Sequence, residues 1–108
     1  MPSPTVTKID VTKCDNELYI IAIPATVGLG SFEILHMSSG FNDPVSYTVK
    51  PQSILPKGDY ILCFLGINWG GPEAFTVSFT STPSIPPWTV SNPTAPVGCI
   101  CHTVAIHV

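Results

Sequence analysis

Tyr60-Ile61-Leu62-Cys63-Phe64-Leu65-Gly66-Ile67 contains no charged residue, and its apolar side chains fall on even and odd positions alike. Successive side chains of a strand point to opposite faces, so a strand over 60–67 is greasy on both sides. The same holds for Leu18-Tyr19-Ile20-Ile21-Ala22-Ile23. Runs of this kind belong in the middle of something. In a sandwich the outer face of a central strand is ordinarily wet, so here it is covered either by a loop of the chain or by another subunit.

The surrounding sequence supplies the rest of a β fold. Val45, Tyr47 and Val49 alternate with Ser46, Thr48 and Lys50, and Phe75, Val77 and Phe79 alternate with Thr76, Ser78 and Thr80. Such alternation marks half-buried strands. Ile9 and Val11 face one way, with Lys8 and Asp10 facing the other. Twelve prolines between Pro2 and Pro96 separate short stretches rich in Val, Ile, Thr, Phe and Tyr, a pattern of strands and turns with no helix expected. With 31–37 and 97–108 added, about seven strands are expected in a single domain over 1–108. The architecture that suits them is an all-β antiparallel β-sandwich with immunoglobulin-like or jelly-roll connections, a small closed β-barrel being the alternative.

Ser81 to Pro96 holds five prolines in sixteen residues, with Ile85 and Trp88 as its large apolar side chains. Proline fixes φ and removes a backbone donor, so 81–96 reads as a stiff crossover loop that plugs an edge with Trp88. Its other use is as an arm reaching a neighbour.

Eleven charges, four lysines and seven acids with no arginine, make up 10% of the chain, against about 25% in a typical soluble domain. Mean hydropathy is +0.37 and the mass 11.5 kDa. A monomer of that mass exposes roughly 5,800 Å², so there is about one charge per 500 Å². Much of the surface is therefore neutral. A net charge of −3 speaks against nucleic acid, since phosphate recognition uses clustered cations. No apolar run approaches the ~20 residues of a spanning helix, and no basic amphipathic segment favours lipid. Met1-Pro2-Ser3-Pro4 lacks the pattern of a secretory leader, and the expected location is cytoplasmic.

Candidate chemistry is sparse. Asn68-Trp69-Gly70-Gly71-Pro72 describes a tight turn holding an indole out at a sheet end. A tryptophan beside an asparagine is one way to stack and read a sugar, so Asn68, Trp69 and Trp88 are candidate carbohydrate contacts. Cys14, Cys63, Cys99 and Cys101 allow three disulfide pairings, but a cytosolic origin favours free thiols, and a small buried hydrophobe is the expected role of each. Cys99, Cys101 and His102 lack the second ligand pair and the spacing of a zinc site. No metal and no cofactor is expected. With no Gly-x-Ser-x-Gly elbow, no His-Glu-x-x-His and no phosphate-cradling loop, nothing nominates an enzyme. His36, His102 and His107 read as satisfied strand residues.

Two resemblances add to this. Leu55-Pro56-Lys57-Gly58-Asp59-Tyr60 places Pro and Gly as a type II turn wants them, and resembles the lead-in to a strand of many immunoglobulin-like bacterial domains. Size, low charge and the ending Gly98-Cys99 with Val104-x-Ile106 resemble the small crystalline inclusion proteins of insect-associated bacteria. That resemblance implies a structural protein that assembles with itself, for which Leu18, Ile20, Ile61, Leu65, Ile85 and Trp88 are the candidate self-association residues. The other functions in view are a carbohydrate-binding module and a membrane-active or insecticidal toxin.

Overall fold

The computed structural model describes residues 3–25, 30–40 and 43–108. Its elements are β1 (Thr5–Asp15), β2 (Glu17–Pro24), β3 (Phe32–Ser38), β4 (Tyr47–Val49), a helical turn α1 (Pro51–Ile54), β5 (Asp59–Asn68), β6 (Gly71–Thr82), β7 (Trp88–Ala95) and β8 (Gly98–His107). Hydrogen bonding runs β3-β2-β5-β8-β1-β6-β7, with β4 paired to β1. The β8–β1 link is a single parallel bridge, Thr5 to His107. The sheet bends there into two halves, β3-β2-β5-β8 and β4-β1-β6-β7. They face each other as an all-β sandwich. Because β3 and β7 remain edges, the alternative barrel does not form.

Parity explains which side chains go inside. Leu18, Ile20 and Ala22 of β2, Leu62 and Phe64 of β5, and Ile106 of β8 meet Val6, Ile9 and Val11 of β1 and Phe75 and Val77 of β6, all without exposed area. Register shifts in β1 at Val6/Lys8 and Val11/Lys13 let its eleven residues stay in phase with β6. Gly66 is required by this layer. A Cβ there would lie 2.8 Å from the ring of Phe75, a distance no packed core tolerates. The accessible area of 6002 Å² agrees with that expected for a compact chain of this mass.

Four expectations need correction. Residues 81–96 are not mainly a crossover loop: β6 runs to Thr82 and β7 begins at Trp88, leaving only 83–87 as connector. Proline is tolerated in β7 because it is an edge strand, and Pro93 falls in the register gap between Asn92 and Ala95. A helical turn does occur, at 51–54, where Pro51 occupies the first position and Leu55 N–H closes onto Pro51 C=O at 2.9 Å, as suits a residue with preset φ and no donor to lose. Pro56 and Gly58 do not make a type II turn: Lys57 is not at positive φ, and Gly58 is at +151°, away from the +80° that turn requires. Instead Gly58 exchanges two backbone hydrogen bonds with Val108, at 3.1 and 2.8 Å, and Tyr60 Oη donates to Pro56 C=O at 2.6 Å. Finally, Tyr47 does not share the burial of Val49; it is 52% exposed on the short β4.

Candidate self-association face

The odd-numbered residues of β2 and β5 point away from the core. Strand register sets them in rows across the sheet: Tyr19, Leu65 and Cys101; Ile21, Cys63 and Thr103; Ile23, Ile61 and Ala105. None of these side chains is charged. None is buried either, and Ile23 and Ile61 are 43% and 38% exposed. Among the described residues, the outward sides of the two apolar runs are therefore open, not sealed by loops.

Charge lies at the ends of this face and along its β3 side, where Glu33 sits opposite Ile21. At one end Glu17 and Ile67 lie beside Cys99, and Glu17 accepts a hydrogen bond from His36, whose ring stacks on Tyr19 at 3.9 Å. The bond from His36 holds the Glu17 carboxyl below the usual carboxylate range. At the other end, His107 Nδ1 lies 2.9 Å from Asp59 Oδ1. Eight residues of β2 at about 3.3 Å each, by three strands about 4.8 Å apart, give roughly 400 Å² of surface. An apolar centre with a polar rim is how protein interfaces are built.

The structure divides the candidate residues into separate places. Ile61 and Leu65 lie on the face. Leu18 and Ile20 do not: they have the opposite parity and are wholly buried in the core. Ile85 and Trp88 are half-buried and pack against the core from the other half of the sandwich. Trp88 lies nearly parallel to both Phe75 and His102, with centroids 5.6 and 5.5 Å away, closing the space between β7 and β8. It presents no free ring to a partner or a sugar.

The carbohydrate trio is likewise split. Asn68 is 1% exposed, and its Nδ2 donates to the carbonyls of Gly71, Ala95 and Pro96 at 3.3, 3.2 and 3.1 Å. It ties the β5–β6 turn to the end of β7. Trp69 is 60% exposed, with its backbone N–H donating to Asn16 Oδ1 at 2.7 Å. Trp88 starts β7 and Ala95 ends it, so the two indoles are separated by roughly 20 Å of strand.

Only Cys14 is the buried hydrophobe expected of all four cysteines, and burial pushes its thiol up to about 11. Cys63 is half-buried, while Cys99 and Cys101 are exposed. Among the described residues no cluster of three His, Cys, Asp or Glu is placed to hold a metal. The buried acids serve structure: burial raises the Asp15 carboxyl, which accepts a hydrogen bond from Asn16.

Tyr19, Ile21, Ile23 and Cys101 were not among the sequence candidates for this face, yet a signal for the β2 set exists. The odd set of β2 begins with Glu17 and that of β5 with Asp59, whereas the even positions of both carry no charge. A charge at the head of one parity marks the outer side. No helix among the described residues is long and apolar enough to cross a membrane. No protein-family model, curated protein or solved structure matches the chain.

Proposed function

We propose that this chain is a non-catalytic, self-associating structural protein, and that its copies first pair face to face through the outer side of β2, β5 and β8. The carrying observation is the three uncharged rows open to solvent between polar ends. Two such faces together bury roughly 800 Å², the size of a weak, concentration-dependent contact. A neutral surface offers no charge pattern by which to select a charged partner, whereas a second copy matches it in polarity and can pair by a twofold axis. The resemblance to crystalline inclusion proteins supports the same reading.

Light scattering over a range of concentrations tests it. The mass should rise with concentration and change little with added salt, because the contact is apolar. Leu65→Lys should return the protein to monomers, while Ser78→Lys, on the opposite outer face, should not. A wild-type monomer at millimolar concentration removes the proposal.

Carbohydrate binding keeps one specific observation, the exposed indole of Trp69. Binding on a glycan array that is lost in folded Trp69→Ala supports it, and silence across the array retires it.

A further inference from the structure

Cys63 and Cys101 come from neighbouring strands, 38 residues apart, and their sulfurs lie 3.4 Å from each other on the outer face. Cys101 is exposed and Cys63 half-buried. Register sets Cys63 opposite Thr103 and Cys101 opposite Leu65, so the two are diagonal neighbours whose side chains lean together. Backbones on such a diagonal are about 7–8 Å apart, beyond the roughly 7 Å a relaxed disulfide spans, so closing the bond draws the two strands together. A bond formed there is under tension and readily reduced.

We propose that Cys63 and Cys101 are a redox-active dithiol that a low-molecular-weight disulfide converts, reversibly, into an intramolecular cross-strand disulfide. Cys101, the more accessible thiol, loses its proton to solvent and attacks one sulfur of the small disulfide, releasing one small thiol and leaving a mixed disulfide on Cys101. The Cys63 thiolate then attacks the Cys101 sulfur and expels the second small thiol. One small disulfide is reduced to two thiols as two protein thiols are oxidised to one disulfide. The other cysteines are not competitors. Cys14 lies inside the sandwich with its thiol directed to Met37 C=O at 3.4 Å, and Cys99 lies two residues along the strand from Cys101, whose sulfur is already in contact with that of Cys63. The first exchange is helped by exposure and the second by proximity. Its rate is limited by the Cys63 thiol, which burial and the adjacent Cys101 hold above its usual range. Both thiols lie in the rows that the proposed pairing would cover, so the exchange belongs to the unpaired protomer and needs only its own two strands.

The test uses reduced full-length protein at dilute concentration, treated with oxidised glutathione, quenched by alkylation and mapped by mass spectrometry. The expected product has lost two hydrogens, carries no glutathione at Cys63 or Cys101, and joins the peptide containing Cys63 to that containing Cys101. Dithiothreitol should reverse it. Cys99→Ser should form the same link, and Cys63→Ser should accumulate a stable glutathione adduct at Cys101. The proposal is overturned by persistent glutathione on wild-type Cys101 without the link, by a Cys99–Cys101 bond, or by covalent dimers as the main product.

Discussion

Between the strand ends, the outside of β2, β5 and β8 carries Tyr19, Ile21, Ile23, Ile61, Cys63, Leu65, Cys101 and Ala105 with Thr103 among them, whereas the outside of β1, β6 and β7 carries Lys8, Asp10, Thr76, Ser78, Thr80, Thr89 and Ser91. Both halves contribute fully buried side chains to one core. The hydroxyl-bearing side is ordinary for a sheet with one wet face. Asp10 there is held by Thr48 Oγ1 at 2.6 Å and lies 3.5 Å from Lys8. One half thus folds against the core with a polar exterior, so folding alone does not require the other to be apolar outside. The apolar outer residues of β2 and β5 are not needed to cover the core, which supports the proposed pairing of copies.

The largest expected effect strikes the apolar side. Ile21→Lys with Leu65→Lys removes two aliphatic contacts per copy, each worth about 1.5–3 kcal/mol when buried. Sedimentation should show the dissociation constant raised at least about a hundredfold. Unchanged association would break the contrast between the two faces. Gly66→Ala acts on the layer beneath both, where its Cβ meets the fixed Phe75 ring. A stability loss of about 1–3 kcal/mol is expected by urea unfolding, with pairing of the folded fraction retained; if pairing is lost too, the face depends on the core in a way the contrast denies.

Cys14 sharpens the distinction between inner and outer thiols. Its folded value of about 11 stands above the ordinary 9.0, so the unfolded chain gives up this proton first. The stabilisation is fully present below about pH 9 and disappears as the pH rises towards 11. Cys14→Ala should flatten the alkaline fall in stability by about 2 kcal/mol over that interval, as read by urea unfolding at stepped pH. The smallest effect is expected on the hydroxyl side: Ser78→Lys should change stability by less than about 0.5 kcal/mol, and a larger shift would show that this face is not simply wet.

How much of this was readable in the residues varies with the physics of each segment. Phe75, Val77 and Phe79 alternate with small hydroxyl residues, and that period alone names a strand and its inner side. In β2 and β5 the period vanishes, so the sequence shows that strands exist but not their parity; Leu18 and Ile20 are candidates for an interface that, buried in the core, they cannot reach. β7 was hidden by its prolines, which are admissible because one side of that strand has no ladder to satisfy. Asn68 looked like a ligand contact because a turn asparagine beside tryptophan has the same local sequence whether its amide faces water or three carbonyls. Only long-range packing with Ala95 and Pro96 decides that.

The corner where β8 touches β1 also says something about the chain's connectivity. His107 N–H donates to Pro4 C=O at 2.8 Å, and the two strands there run in the same direction. A short peptide joining Val108 to Pro4 would let the path continue from one sheet into the other, and the connector at 83–87 would offer a place to cut. Topologically the strands form a loop whose point of opening is incidental, and a circular permutant opened there should keep the same architecture.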